Sequence, residues 1–461
     1  MRRYVIRDDN HVPPFNEPAR ELTIGTRSLT IHHEAVFLNY FQDGCELGGE
    51  FDSADERVMI QDAAIVYRES LWFDNEFLAY FVEHARETGQ ACRAAIRVDD
   101  PAFRTYTLKL ARNFTLGYDA ENNRIALIEL WYYPNGYVHD DEVLPIVVPS
   151  DAEEKGFYSV PDFMAQEQGN LTHFLPERAI LSIESWVHVY YASIIFGVFA
   201  RGSRKEEYIK QHNFYALKVL WHAIIEQKQM LSTSELVQVG KGTVIHPSAQ
   251  ISGPTTIGEN CFIGPGVVID NCSIGDNVSI DQGCQLMLST VANNCFLPFR
   301  AALYLTSVME HTIIAQNTCL QMCVVGRQTF IGAGNTFTDF ILVGKAKGEG
   351  DDTAATRTVP RPIRTFDQDG NLQDVGQVVL GSAVGHNCRI GSGLIFFPGR
   401  MIESDVVLIA SPQRRVIERN VRYEESDHHY ISGGLGANDH PRRYRRKDEE
   451  EKAEAEGWEI W

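Results

Sequence analysis

The chain has 461 residues, 44% of them apolar, enough for two or three buried cores and too many for one small domain. Its 62 acidic side chains outnumber 42 Lys and Arg, and the resulting net charge of −20 repels a phosphate backbone, which argues against nucleic acid as a partner. Nine cysteines with no CxxC pair fit reduced thiols and supply neither a zinc motif nor a disulfide framework.

The first residues, MRRYVIRDDNHVPPFNEPAR, have charges but no apolar stretch after them. That is the pattern of neither a signal nor a transit peptide, so a cytoplasmic protein is expected. VMIQDAAIVY, from Val58, reads as a strand, NEFLAYFVEHARETG, from Asn75, as an amphipathic helix, and CRAAIRV as the next strand; IALIELWYY and VLPIVVP follow as further apolar runs. Helix feeding strand in this way predicts a doubly wound α/β domain. Two acidic doublets, Asp99–Asp100 and Asp140–Asp141, offer the oxygen ligands Mg²⁺ takes, although doublets in loops are more often simply solvated. WVHVYYASIIFGVFA, Trp186 to Ala200, is shorter than the roughly 20 residues that cross a bilayer. It reads as a buried core segment, and no membrane span is expected. Arg204 to Leu231 has apolar residues at helical spacing and predicts one long connecting helix.

Beyond it the chain repeats. Apolar residues recur every six positions at Val239, Ile245, Ile251, Ile257, Ile263 and Ile269, and after a one-residue deletion at Ile274, Ile280 and Leu286. Two more runs are Ile313, Cys319, Val325, Ile331, Phe337, Val343 and Val378, Val384, Ile390, Phe396, Ile402, Leu408. Gly often follows the apolar residue, as at Gly258, Gly264, Gly275 and Gly326, where a turn needs positive φ or close approach. Three such hexads make one triangular coil with its aliphatic residues stacked inward. Cys261, Cys272, Cys284, Cys323 and Cys388 sit two places before an apolar position, in a small-residue slot, and read as packing residues.

Two stretches break the six-residue count, and chemistry is expected where loops leave a regular scaffold. Cys295 to Thr312 (CFLPFRAALYLTSVMEHT) shows no hexads and carries Arg300 and His311. Gly344 to Gln377 is an insertion with Lys345, Lys347, Arg357, Arg361 and Arg364, more basic than its surroundings and suited to a phosphate-bearing ligand or equally to being a solvated loop. Between them, Gly326 to Phe340 contributes Arg327, Asn335, Thr336, Thr338 and Asp339 as candidate ligand-binding side chains. His311 and His386 are the histidines within the repeat placed to act as a general base, whereas His246 reads as structural. The last residues, PRRYRRKDEEEKAEAEGWEIW, suggest an exposed helix or disordered tail, with Trp458 and Trp461 available for docking.

An aliphatic residue, a frequent Gly next to it and a small residue four places on resemble the hexapeptide-repeat transferase superfamily. The resemblance covers about 170 residues and implies an α/β domain followed by a left-handed parallel β-helix, most members being trimers. Acyltransferases using acetyl-CoA or acyl carrier protein belong to that superfamily, as do γ-class carbonic anhydrases, whose close zinc-binding His pair has no counterpart inside these coils. VPPFNEPARELTIGTRSLTIHHEAVF is similar to the segment in which sugar-1-phosphate nucleotidyltransferases pass from their phosphate loop to the first helix. The stretch IRDDNHVPPFNEPAR lacks the glycines of that loop, so the resemblance implies a degenerate relative. The expected organisation is a nucleotidyltransferase-like domain at 1–203, a connecting helix at 204–235, the β-helix at 236–412 with its insertion at 344–377, and a polar extension at 413–461. The expected function is sugar-nucleotide-related acyl or nucleotidyl transfer, with acetyl-CoA or a nucleotide sugar as ligand, Mg²⁺ less favoured, and a homotrimer as the assembly. The competing expectation is a non-catalytic scaffold that retains both folds.

Overall fold

A computed structural model describes residues 1–42, 44–158, 171–344, 358–360, 362–367, 370–430 and 440–450. It divides into two compact units: Met1–Asn10 with Pro18–Arg204, and His11–Glu17 with Lys205–Trp461.

The first unit is built on a seven-stranded sheet of β1 (Arg2–Ile6), β2 (Glu46–Phe51), β3 (Ala64–Arg68), β4 (Cys92–Arg97), β5 (Thr115–Tyr118), β6 (Arg124–Tyr133) and β7 (Leu144–Val147). Their order is β7-β4-β6-β3-β1-β2, with β5 on β6. β1 is parallel to both β2 and β3, but β6 runs antiparallel to β3 and β4. The sheet is therefore mixed, where the order of helix and strand predicts a doubly wound one. Helix α1 (Leu29–Tyr40) and helix α2 (Asn75–Thr88) bury Val36, Phe37, Phe77 and Phe81 in one core on the same face. The start of α2 follows from Asp74, whose Oδ1 accepts the Phe77 N–H at 2.8 Å, and its end from Gly89 at φ 64°. Val58 lies in a short helical turn before β3, exposed, so that strand begins later than the apolar run implies.

Trp186–Ala200 is largely buried, as expected. Helix α3 (Trp186–Tyr190) continues through a wide-turn segment, Tyr191–Phe199, into α4 (Ala200–Gln211). Among the described residues no helix is long and apolar enough to cross a membrane. The expected single connecting helix is two, because His212, at φ −112° and ψ 88°, breaks α4 from α5 (Asn213–Glu226).

The second unit contains a parallel β-helix. Three eight-stranded sheets, beginning with Val237–Val239, Val244–Ile245 and Gln250–Ser252, run its length. Equivalent residues in its regular coils lie 17 apart, as Thr256 and Ser273 do. The inward stack on one face is Ile257, Ile274, Val291, Val308, Val325, Val384 and Ile402. Each is at least nine-tenths buried. Glycine's role is close approach: a Cβ on Gly258 would lie 2.5 Å from the Gly275 carbonyl of the next coil, and one on Gly326 would lie 2.6 Å from Gly385. Positive φ belongs to the corners. Asn260, Asn277, Asn294, His311, Gln328, Asn387 and Asp405 form one such column of left-handed residues.

Several repeat assignments change. Cys295 to Thr312 is not an interruption: Phe296–Leu297, Ala302–Tyr304 and Ser307–Val308 are ordinary coil strands, stacked on the coils either side. The inward residues after them are Ile314 and Leu320, one place beyond the Ile313 and Cys319 that the spacing picks out. Val343 does not continue the ladder, because Leu342–Gly344 pairs with Thr358–Pro360 in a hairpin outside it, and Val378 precedes the strand Ala383–Val384 at which the coils resume. The β-helix also runs on to Val416–Ile417, past the expected boundary.

The cysteines pack as expected. Cys261, Cys272, Cys284, Cys295, Cys323 and Cys388 are all in the β-helix core. Burial pushes the thiols of Cys295 and Cys323 up to about 12, which removes them as nucleophiles.

The corrected register makes a direct forecast. In urea unfolding, Leu320→Ala should cost about 2–5 kcal/mol by leaving a cavity, while Cys319→Ala, next to it and half-exposed, should change stability by about 0.5 kcal/mol or less.

Candidate functional site

The residues singled out in the β-helix are dispersed. His311 is an exposed corner residue at φ 58°, and Arg300 is an exposed corner residue at φ 51° whose guanidinium lies 5.0 Å from the Phe299 ring centre. Asn335 is fully buried and committed to the scaffold: Nδ2 donates to the carbonyls of Gly332 and Gly391, each at 2.8 Å, and Oδ1 accepts the Leu394 N–H at 2.7 Å. Thr338 donates to the Phe396 carbonyl at 2.8 Å. Asp339 accepts from the Gln321 amide at 3.1 Å, and burial raises its pKa. Arg364 is exposed in a hairpin strand, paired with Asp374. Lys345, Lys347, Arg357, Arg361, Trp458 and Trp461 lie outside the described residues.

His386 and Arg327 do come together, around a residue that carries no motif in the sequence. The segment His11–Glu17 packs within the β-helical unit as a strap. Its Pro14 carbonyl accepts from Ser404 N and Oγ, both at 3.0 Å, and its Asn16 amide donates to Glu403 at 2.9 Å. Glu17 ends the strap, with Oε1 3.1 Å from His386 Nε2 and Oε2 2.6 Å from Arg327 NH1. Arg327 also reaches Glu310 at 2.7 Å. The Arg327 N–H donates to His386 Nδ1 at 2.9 Å, which puts the ring proton on Nε2, toward the carboxylate. Phe15 and Tyr444 pack tilted around the same imidazole, at 5.0 and 4.7 Å between ring centres. His386 is completely buried, and its acceptor nitrogen is already taken. Burial pushes the Glu17 carboxyl up, but His386 and Arg327 outweigh it and leave it below the ordinary glutamate value.

The segment expected as a free tail contributes here too. Glu403 accepts from Arg442 at 2.9 Å and Arg446 Nε at 2.8 Å, and Asp405 accepts the backbone N–H groups of Arg443 and Tyr444 at 2.7 and 2.8 Å. Residues 440–446 thus close over the last coils.

A second polar cluster lies in the first unit, where the strand order reverses. β1 sits between β2 and β3, and ligands of open α/β sheets bind outside the carboxyl ends of strands at such a reversal. Asp8 follows β1 and Glu69 follows β3, and both are buried. The Asp8 N–H donates to Glu69 Oε1 at 2.7 Å, Ser70 Oγ donates to Asp8 Oδ2 at 2.7 Å, and Arg20 NH1 donates to Glu69 at 2.8 Å and to Asp9 at 3.3 Å. Glu184 is a third buried carboxylate, accepting the N–H groups of Arg112 and Asn113 at 2.9 and 3.2 Å. Burial raises the pKa of both Glu69 and Glu184. Arg68 pairs with Glu129 and donates to the Arg7 carbonyl at 3.2 Å, and Arg7 pairs with Glu50 at 2.8 Å. Arg7, Arg20 and Arg112 remain a third to a half exposed. Buried hydrogen-bond acceptors rimmed by accessible guanidinium groups suit a ligand with both hydroxyls and phosphate.

None of this forms a motif, although the RDD at the end of β1 and the RES at the end of β3 are its sequence trace. The doublets suited to Mg²⁺ have other partners: Asp99 pairs with Arg97, Asp100 accepts from Ser150 Oγ at 2.7 Å, and Arg57 holds Asp140 through two 2.9 Å bonds. Among the described residues no three His, Cys, Asp or Glu side chains converge to hold a metal ion.

The family model described as Bacterial transferase hexapeptide (six repeats) matches residues 237–271, the first two coils. No curated protein matches the chain.

Glu17→Ala removes the carboxylate that ties the strap to His386 and to Arg327, which keeps Glu310, a loss of about 3 kcal/mol. Amide exchange of residues 11–17 should then speed up about 100-fold or more, with the remaining coils unchanged. Because the Glu17 pKa is lowered by folding, its contribution is full above the ordinary glutamate value of 4.5 and is lost as pH falls through its lower folded-state value. Strap exchange in the unmutated chain should rise over that acid window.

Proposed function

We propose that this chain is a sugar-nucleotide-related transferase that takes its phosphate-bearing ligand at the carboxyl ends of β1 and β3, with the β-helix as scaffold. The observation that carries this reading is the cluster of buried Asp8, Glu69 and Glu184 with the partly exposed Arg20 and Arg112, which reach Glu69 at 2.8 Å and Glu184 at 3.8 Å. Buried carboxylates accept from sugar hydroxyls, and the guanidinium rim neutralises phosphate. The hexapeptide match supports the transferase class, and the N-terminal resemblance supports a nucleotide sugar over acetyl-CoA as ligand. Nucleotidyl or acyl transfer is the reaction class, the first weakened by the glycines that IRDDNHVPPFNEPAR lacks. His386 bears on the second, since an acyltransferase would need the strap to leave before that imidazole met an acceptor. The competing reading, a scaffold without catalysis, is favoured by the same enclosure of His386 and by the full commitment of Asn335 to carbonyls of its own coils.

A homotrimer remains the proposed assembly. Val244, Phe262, Phe296, Ile313 and Phe330 form an outward, half-exposed ladder along one face of the β-helix, broken only by Ser279 between Phe262 and Phe296, an exposed patch of the kind that marks an interface.

Thermal denaturation with UDP-sugars, nucleoside triphosphates and acetyl-CoA tests the ligand, since only a ligand of the folded state raises the midpoint. A nucleotide sugar or triphosphate should raise it, and Arg20→Ala should abolish the rise and also lower the unliganded midpoint, since Glu69 then lies buried without its cation. No shift with any of the three leaves the scaffold reading in place. For the assembly, Phe296→Glu with Phe330→Glu should divide the mass measured by light scattering by three.

A further inference from the structure

Helix α5 (Asn213–Glu226) turns only Val219 and Ala223 into the core. Phe214, Leu217, Leu220, Trp221, Ile224 and Ile225 face outward, exposed between 42% for Leu220 and 91% for Phe214. Phe214, Leu217, Trp221 and Ile224 follow the alternating three- and four-residue spacing of a coiled-coil seam. Taking roughly 150–250 Å² for a fully exposed large side chain, the six present on the order of 600–900 Å² of apolar surface. A monomer's surface rarely carries more than a few hundred Å² in one apolar patch, whereas each partner in a stable complex covers roughly 800 Å².

The charges beside the stripe are answered within the chain. Lys218 Nζ lies 2.8 Å from Glu235, His222 Nδ1 lies 3.0 Å from Glu226, and Lys228 Nζ lies 3.2 Å from Glu226. Partner choice in coiled coils depends on charges flanking the seam, and these are engaged at home, so the surface carries no complement for a differently charged partner. An uncharged apolar stripe is complementary to itself. With a net charge of −20 the chain is also repelled from an anionic lipid surface, where interfacial helices rely on a basic polar face.

We propose that α5 packs against α5 of a second copy of this chain about a twofold axis. The seam is separate from the outward ladder of the β-helix, and the two generate different symmetries.

Sedimentation equilibrium of the full chain tests it, comparing the unmutated protein with Leu217→Glu/Ile224→Glu and, as a second variant, Trp221→Lys. All three positions are exposed, so the circular dichroism and melting midpoint of folded variants should match those of the parent. The parent should contain an even number of copies, and both variants should halve its mass, whether that means six to three or two to one. Phe296→Glu/Phe330→Glu should leave this halving intact, so the ladder and the α5 seam fail independently. An odd number of copies, a mass unchanged by the α5 variants, or a single-copy parent that floats with phosphatidylcholine vesicles would overturn the proposal.

Discussion

Everything in the β-helical unit depends on one geometric requirement: each coil must lay its backbone N–H groups under the carbonyls of its neighbour for the length of the stack. The pairing of Ile257 with Ile274 and of Ile274 with Val291 fixes which side chain points inward, because a slip of one residue turns every side chain of a strand to the other face. The same closeness forbids a Cβ at Gly258 and Gly326. It also accounts for the interchange of Cys and Thr in the slot before the inward residue. Cys261 and Cys295 donate to carbonyls of the next coil at 3.1 and 3.2 Å, and Thr312 and Thr329 do the same at 2.9 and 2.8 Å. A small side chain with a donor is what that position selects, and sulfur or oxygen serves equally.

Much of this order is legible in the sequence, because Ile and Val at six-residue spacing followed by Gly fit stacked coils and little else. Legibility fails where the corners change residue type without changing conformation. Arg300, Leu305 and His311 all adopt left-handed backbone at corners that other coils fill with Gly or Asn, so a perfectly regular stretch looks interrupted. Arg300 and His311 stand out as functional candidates through the very substitution that makes the repeat hard to see. The sequence shows the third corner losing a residue once, between Ile269 and Ile274, but not that the loss recurs in the following coils, and the one between Leu320 and Val325 displaces the inward assignment to Ile313 and Cys319. The polar cluster of the first unit is illegible for a different reason. Asp8, Glu69 and Glu184 are far apart in the chain, each resembles a solvated acid, and only the placement of β1 between β2 and β3 joins them.

A chain with a net charge of −20 meets a particular difficulty in burying any acid at all. Both units solve it with arginine: Glu17 with Arg327, Glu403 with Arg442 and Arg446, Glu69 with Arg20, Glu129 with Arg68. Guanidinium is weakly hydrated and keeps its charge, so it follows a carboxylate into a partly dry site more readily than ammonium does. Such pairs add little net stability over apolar packing, but removing one partner is costly. Their use here is to fix one arrangement, such as the strap on the last coils, against others that bury similar area.

The two arginine–carboxylate clusters differ in what they leave open. Both carboxylate oxygens of Glu17 face nitrogens of the same unit, and Phe15, Tyr444 and the strap itself exclude solvent from His386. Around Glu69 the carboxylates are equally deep, but the cations above them stay in contact with water. A ligand would reach the first only at the cost of displacing a whole segment of backbone. At the second, a phosphate group needs only to replace water on guanidinium groups that are already in place and oriented by their acids. Preorganised charge that stays partly exposed, in place of buried charge under a lid of its own chain, is the physical reason for proposing ligand chemistry at the sheet and architecture in the coils.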